Sequence, residues 1–207
     1  MMYDAIKNFA AQFAFEPVVE NADKLGHYKG FIVAGMGGSH LAGDLLRVWK
    51  PKLDLTVHSD YGLPRRSPDD VGTKAGFPPQ LFIATSYSGN TEETLDSFQE
   101  AIKRKMPVAV ISVGGKLLEL AKKESIPYVQ IPDTGIQPRL ALGFLMRALL
   151  KLMGEEQAFD DIGTLASALN PLAFENAGKE LASRLAGRIP VVYASRRNFP
   201  KIGRAHV

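Results

Sequence analysis

The sequence predicts an α/β protein built on a flavodoxin-like, doubly wound parallel sheet of five strands. Three observations support this prediction. Short apolar runs alternate with helix-like segments at the spacing of βαβ units. Two turns between a strand and a helix are rich in glycine and serine, with the sequences GMGGS and SYSGNT. In a doubly wound sheet the turns after the first and third strands flank the switch point, where ligands bind.

The first half of the sequence gives two strands, two helices and a loop. Apolar residues at helical spacing over residues 3–15 predict a packing helix. A buried strand is predicted from Gly30, and a helix follows over residues 39–49. Residues 53–58 alternate enough to form a second strand. The polar, Gly-rich and Pro-rich residues 59–80 predict a surface loop.

The second half of the sequence gives the rest of the sheet. Three more apolar runs predict strands at 81–84, 108–113 and 126–132, and helices begin at Thr91 and Lys116. A further helix is predicted from Pro138 to about residue 152, because proline is favoured at the first position of a helix.

The turn after the central strand carries the main functional signal. Ser86, Ser88 and Thr91 lie between the end of a strand and the start of a helix. Free backbone N–H groups and the positive end of the helix dipole stabilise an anion at such a turn. Helix capping explains one hydroxyl at a helix start but not three. The turn therefore favours binding of a phosphate monoester.

The turn after the first strand is predicted to approach the same ligand. Gly37 and Gly38 permit close backbone approach, and Ser39 can cap the following helix. A dinucleotide fingerprint is excluded because His40 stands where its third glycine belongs, and no Gly-Lys-Ser/Thr triplet of a P-loop occurs. Neither serine turn has the G-x-S-x-G pattern of a nucleophile elbow.

Composition argues against several classes of protein. Of the 207 residues, 45% are hydrophobic, which is enough for a sizeable core, yet no apolar run is as long as a membrane span. The sequence has no cysteine, which excludes disulfides and thiolate chemistry and favours a cytoplasmic location. The net charge is +3 and the basic residues are scattered, so no nucleic-acid footprint is predicted.

Four motifs, in order, resemble the sugar isomerase (SIS) domain: GMGGSHLAGDLL, SYSGNTEETL, GGKL and DTGIQPRLALG. More narrowly, they resemble the N-terminal half of the bifunctional phosphoglucose/phosphomannose isomerases. The resemblance covers roughly residues 1–200. It implies that a sugar contacts Gly37, Gly38 and Ser39, that Ser86, Ser88 and Thr91 hold its phosphate, and that the catalytic Arg139 steadies an enediolate.

The resemblance also implies an activity. Members of this family interconvert glucose 6-phosphate or mannose 6-phosphate with fructose 6-phosphate through a cis-enediol, in glycolysis and gluconeogenesis. We therefore expect an aldose-ketose isomerase with no metal and no organic cofactor, with a sugar phosphate as its partner and with no nucleic-acid or membrane partner. A homodimer is expected on the same grounds.

Arg139 also has a physical argument of its own. It follows Pro138 in the first turn of the predicted helix, where a cation opposes the helix dipole. An oxyanion that develops on a substrate would explain a cation placed there. The alternative is a solvated side chain or an ion pair with Asp133. His40 is left outside the catalytic set, because a histidine in the first turn of a helix is just as often packing or surface.

The resemblance divides the chain into segments. It implies a helical segment 1–28, a SIS domain 29–153, linker helices 154–187 and the first strand of a second SIS domain at 188–200. Residues 201–207 resemble a translated sequencing adapter and are interpreted as a non-native tail. The catalytic base of the family lies beyond this point, so we expect the chain to bind sugar phosphate without turning it over.

Two alternatives stay open at this point. SIS modules also bind sugar phosphates in transcriptional regulators, so the chain could be a regulatory module. It could also belong to an isomerase that acts on another sugar phosphate, such as a pentose phosphate or sedoheptulose phosphate.

Overall fold

Five parallel strands form one sheet in the computed structural model, which describes residues 2–64 and 80–191. The strand order is β2-β1-β3-β4-β5, which is the flavodoxin-like order. The strands are β1 (Gly30–Ala34), β2 (Asp54–His58), β3 (Gln80–Ser86), β4 (Val108–Ser112) and β5 (Tyr128–Gln130). The predicted fold class is confirmed. Residues 65–79 and 192–207, which hold most of the predicted loop, most of the predicted last strand and the tail, lie outside the described residues.

Helices cover both faces of the sheet, so the central strands are buried on both sides. Every residue of β1 and β4 is buried. Successive side chains of β1 point to opposite faces: Phe31 and Val33 join one core cluster, and Ile32 and Ala34 join the other. Burial on both faces explains why these strands appear in the sequence as continuous apolar runs rather than alternating ones.

Eight α-helices lie in the described residues. They are α1 (Met2–Lys7), α2 (Leu41–Trp49), α3 (Glu92–Lys103), α4 (Gly115–Lys123), α5 (Leu142–Met153), α6 (Glu156–Gly163), α7 (Leu165–Ala168) and α8 (Glu175–Leu185). Side chains of α2, α5 and α6 pack in one core cluster, and those of α3 and α4 pack in the other. None of these helices is both long and apolar enough to cross a membrane.

Three segments that are predicted as single helices contain a 3-10 helix in the structure. The segment predicted as one helix over residues 3–15 is α1 followed by a 3-10 helix, Phe9–Ala14. The helix predicted from Ser39 begins as the 3-10 helix Gly37–His40 before α2. The helix predicted from Pro138 is a 3-10 turn, Pro138–Leu140, which Ala141 separates from α5. Arg139 therefore lies in this turn and not in the first turn of α5.

The N-terminal segment is fastened to α5 by a buried arginine. Arg147 of α5 is only 3% exposed, and its Nε donates to the carbonyl of Phe15 at 2.8 Å. Its other guanidinium nitrogens donate to the carbonyl of Phe159, at 2.8 Å, and to the carboxylate of Glu16. The guanidinium also stacks on the ring of Phe159, 3.4 Å from the ring centroid. One side chain thus joins the N-terminal segment, α5 and α6.

The last described helix has no buried residue. Along α8, Leu181 is 54% exposed and Leu185 is 39% exposed. Leu172 and Phe174, in the preceding 3-10 turn, are also exposed. These four side chains form an apolar surface that we call the α8 surface.

Candidate functional site

Three strand-to-helix turns and the Pro138–Leu140 turn form the candidate site. They follow β1, β3 and β4, and parallel strands place their carboxyl ends at one edge of the sheet. β3 is the central strand and pairs with both β1 and β4. The first two of these turns are the ones that the sequence predicts at the switch point.

Buried hydroxyls join the β1 turn to the β3 turn. Thr85 of β3 donates its hydroxyl hydrogen towards the carbonyls of Ala34, at 3.0 Å, and of Ser39, at 3.1 Å. Ser39 is 4% exposed, and its hydroxyl oxygen accepts the backbone N–H of Tyr87 at 3.0 Å. Ser39 therefore holds the two turns together.

The three predicted phosphate ligands divide into a pair and a single hydroxyl. The hydroxyls of Ser86 and Thr91 lie 2.9 Å apart. Ser86 is 1% exposed, and its oxygen also accepts the N–H of Gly89 at 3.0 Å. Ser88 is exposed, and its oxygen accepts the N–H of Asn90 at 3.3 Å. The structure thus brings Ser86 and Thr91 together at the start of α3, while the described contacts of Ser88 join it to neither.

The turn after β4 fits against the β3 turn. Gly89 has a positive φ of 73° and lies so close to the carbonyl of Gly114 that a Cβ atom there would collide with it. The side-chain oxygen of Asn90 accepts the N–H of Lys116 at 3.1 Å, and Gly89 accepts the N–H of Leu117 at 2.9 Å. Sequence reasoning missed this role of Asn90. The only local signal for the contact is the glycine pair that opens α4.

Arg139 is exposed in its 3-10 turn. Within the described residues it has no hydrogen bond and no ion pair, so the alternative pairing with Asp133 does not occur there. Gly38 packs directly on this turn: a Cβ atom at Gly38 would lie 2.5 Å from the backbone nitrogen of Arg139 and 2.6 Å from the carbonyl carbon of Pro138. The predicted sugar loop and the predicted catalytic arginine are therefore in backbone contact.

His40 and the acidic residues of α3 have partners within the chain. His40 Nδ1 lies 2.8 Å from Asp44 Oδ2, one helical turn away. The charge of Glu93, then partial loss of solvation, then the charges of Glu92 and Asp96 raise the pKa of the Tyr61 phenol, because each of them disfavours the phenolate. Within residues 2–64 and 80–191, no group of three His, Cys, Asp or Glu side chains is placed to hold a metal ion.

Comparison with known proteins shows the family. No protein-family model matches the chain. A curated relative named bifunctional phosphoglucose/phosphomannose isomerase, from Aquifex aeolicus, is 36% identical over 200 residues, and the match covers 94% of this chain and 58% of the relative. A protein of the same name from Caldicellulosiruptor bescii is 36% identical over 178 residues, covering 78% and 50% respectively. The chain belongs to the family of the bifunctional phosphoglucose/phosphomannose isomerases. It spans about half the length of these relatives.

The chain is also similar to two proteins with other names. The tagatose-6-phosphate ketose/aldose isomerase from Escherichia coli shares its fold, with a TM-score of 0.51 and 16% identity over 88% of this chain and 52% of that one. A D-glucosamine-6-phosphate 4-epimerase from Sulfolobus acidocaldarius is 29% identical over 183 residues, covering 86% of this chain and 54% of the relative. This chain is therefore also similar to a protein that is named for a different reaction of a sugar phosphate.

Proposed function

We propose that the chain is the sugar-phosphate-binding part of an aldose-ketose isomerase that interconverts glucose 6-phosphate or mannose 6-phosphate with fructose 6-phosphate. The observation that carries the proposal is the backbone contact of Gly38 with the turn of Arg139. This contact sets the turn of Arg139, a cation without a partner in the described residues, beside the glycine-rich β1 turn, which Ser39 joins to the β3 turn. The names of the relatives supply the substrates and the reaction.

Each part of the proposed site has a distinct task. The phosphate lies against the β3 turn beside the N-terminus of α3, where Ser88 and one hydroxyl of the bonded pair Ser86 and Thr91 offer donors. The sugar lies over the β1 turn, against Gly37, Gly38 and Ser39. These six residues form the ligand set.

Arg139 is assigned to the developing charge. Removal of a proton from the carbon next to the carbonyl produces an enediolate, and a fixed cation stabilises the charge that appears in the transition state. No side chain within the described residues pairs with Arg139, so nothing there competes with the substrate for its guanidinium. Transfer of a proton between C1 and C2 causes no net oxidation, so the proposal includes no organic redox cofactor. It includes no metal, because the guanidinium of Arg139 is assigned to the charge that a metal ion would otherwise stabilise. The general base is assigned to the part of the relatives that the chain does not span.

Binding of an enediolate mimic tests the proposal. In 5-phospho-D-arabinonate a carboxylate imitates the charged enediolate and the phosphate is retained. Isothermal titration of the chain should show binding of this compound about tenfold tighter than of fructose 6-phosphate, since an isomerase site favours the transition state over the substrate. Arg139→Ala should remove the preference and leave binding of inorganic phosphate unchanged. We expect no formation of fructose 6-phosphate from glucose 6-phosphate by the chain alone.

Other results would point to other functions. A regulatory module, which is the second candidate, would bind sugar phosphates without preferring the charged mimic. If none of these phosphates binds at millimolar concentration, the site proposal is wrong. Turnover by the chain alone would refute the assignment of the base to residues outside it.

The proposal extends to segments, assembly and location. We propose a helical segment at 1–28, a SIS domain at 29–153 and linker helices at 154–187. The start of a second domain is proposed at 188–200 and a non-native tail at 201–207. Limited proteolysis with mass spectrometry can test these boundaries. We propose a homodimer, for which the exposed α8 surface offers apolar area, with light scattering as the test. The lack of cysteine supports a cytoplasmic location, which cell fractionation can test.

A further inference from the structure

Gln12 lies far from the site in the sequence but contacts the turn of Arg139 directly. It belongs to the 3-10 helix Phe9–Ala14 and is only 4% exposed. Its side-chain nitrogen Nε2 donates to the carbonyl of Leu140 at 2.7 Å. Its side-chain oxygen Oε1 accepts the N–H of Gly143 at 3.0 Å. Both polar atoms of the side-chain amide therefore form hydrogen bonds with the backbone that follows Arg139.

The hydrogen bond from Gly143 to Gln12 replaces a local helix cap. Helix α5 begins at Leu142, and the preceding Ala141 has no side chain that can cap it. The first N–H groups of a helix have no partner within the helix, and a buried one without any partner is costly. Gln12 satisfies the N–H of Gly143 from another part of the chain. The start of α5 is thus fixed by a side chain about 130 residues away in the sequence.

The support for Gln12 is itself held firmly. Phe13, next to it, is 3% exposed, and the rings of Phe9 and Phe13 meet edge to face with centroids 5.5 Å apart. On the opposite side, a Cβ atom at Gly143 would lie 2.6 Å from the Cβ of Gln12. Only glycine at position 143 permits this close approach between Gln12 and the start of α5.

The turn of Arg139 is therefore held from two directions. Gly38 packs against the backbone at Pro138 and Arg139, and Gln12 bonds to the backbone at Leu140. We propose that Gln12 is a positioning residue that sets the place of the Arg139 guanidinium relative to the sugar. This inference rests on the proposed function, because Gln12 affects binding of the sugar only through the position of Arg139.

A double-mutant cycle on the chain tests the inference. Gln12→Met keeps the length of the side chain and removes both hydrogen bonds. We expect it to raise the Kd for 5-phospho-D-arabinonate about tenfold, and to raise the Kd for inorganic phosphate less than about twofold, because the phosphate turn is separate. In the Arg139→Ala background the same substitution should change the Kd for 5-phospho-D-arabinonate by less than about twofold.

Two further variants separate positioning from general damage. Gln157→Met makes the same change at an exposed glutamine whose amide, within the described residues, bonds only to Asp161, and it should leave both affinities unchanged. Gln12→Asn keeps the amide but shortens the side chain by one methylene, so both bonds to the backbone should lengthen and its effect should be intermediate. It also keeps the test valid if Gln12→Met fails to fold.

The outcomes are distinct. If Arg139→Ala weakens binding of 5-phospho-D-arabinonate and the Gln12 variants do not, the inference is overturned and the proposed function stands. An equal effect of Gln12→Met with and without Arg139 would likewise overturn it, because Gln12 would then act by another route. If Arg139→Ala itself has no effect, the role of Arg139 in the proposed function fails, and the inference fails with it.

Discussion

Replacement of Gly38 by alanine tests whether the sugar loop and the Arg139 turn must touch. An added Cβ atom would lie 2.5 Å from the backbone nitrogen of Arg139, and ordinary contact begins at 3.4 Å, so one turn must move by about 0.9 Å. Both partners are backbone, so no side chain can rotate to relieve the collision. Overpacking of this kind costs about 1–3 kcal/mol of the free energy of unfolding. A misplacement of about 1 Å can cost about 100-fold at a catalytic group.

The assay compares loss of stability with loss of affinity. Gly154→Ala is the matched control: Gly154 ends α5 with a positive φ of 70°, and no atom lies within 4 Å of its added Cβ. It should cost about 1 kcal/mol of stability through backbone strain, with unchanged affinity for 5-phospho-D-arabinonate. Gly38→Ala should lower the affinity by about 10-fold to 100-fold. Wild-type affinity in a folded Gly38→Ala variant would refute the contact as the basis of the site.

Four other variants probe single contacts. Ser88→Ala should weaken phosphate binding and leave the melting temperature unchanged. Ser86→Ala should also cost about 1 kcal/mol, because the hydroxyl bonds to Gly89 and Thr91 are lost while the N–H of Gly89 keeps the carbonyl of Ser86. Titration calorimetry and thermal melting measure the two effects. Arg147→Met should cost about 3 kcal/mol in urea denaturation, because two buried carbonyls lose a charged donor. Glu93→Gln should lower the pKa of Tyr61, which ultraviolet titration measures.

Each of these predictions has a control or a contrary result. A Ser88→Ala variant with normal phosphate affinity would remove Ser88 from the ligand set. Glu16→Gln is the control for Arg147→Met: the Glu16 side chain is 77% exposed, so its loss should cost less than about 1 kcal/mol. Because the pKa of Tyr61 is raised in the folded chain, its contribution to stability is present below about pH 10 and is lost as the pH rises through the folded pKa. An unchanged Tyr61 pKa in Glu93→Gln would contradict the assigned cause.

The strand order could be predicted from the sequence because its signals are local. Continuous apolar runs such as β4 mark strands buried on both faces, and a glycine or serine turn follows both strands at the switch point. The same local patterns indicated the residues of the β1 and β3 turns. Arg139 was found through a motif, and its contact with Gly38 confirms only that the two segments meet.

The supporting contacts could not be predicted in the same way. Gln12, Asn90 and Arg147 act on backbone groups 26 to 132 residues away, and an isolated Gln, Asn or Arg carries no mark of such a partner. The 3-10 turn at Pro138 was also missed, because proline suits the first position of either kind of helix. Tertiary hydrogen bonds decide these details, and local propensity does not record them.

The hydrogen bonds between the N-terminal segment and α5 affect the order in which the chain folds. The bonds from Gln12 to Gly143 and from Arg147 to Phe15 close loops of 131 and 132 residues. Closing loops of this length is entropically unfavourable until the intervening strands have assembled, and such contacts slow folding. The segment that holds Gln12 must therefore wait for most of the sheet before it makes these contacts, so the turn of Arg139 is among the last parts of the chain to be fixed in place.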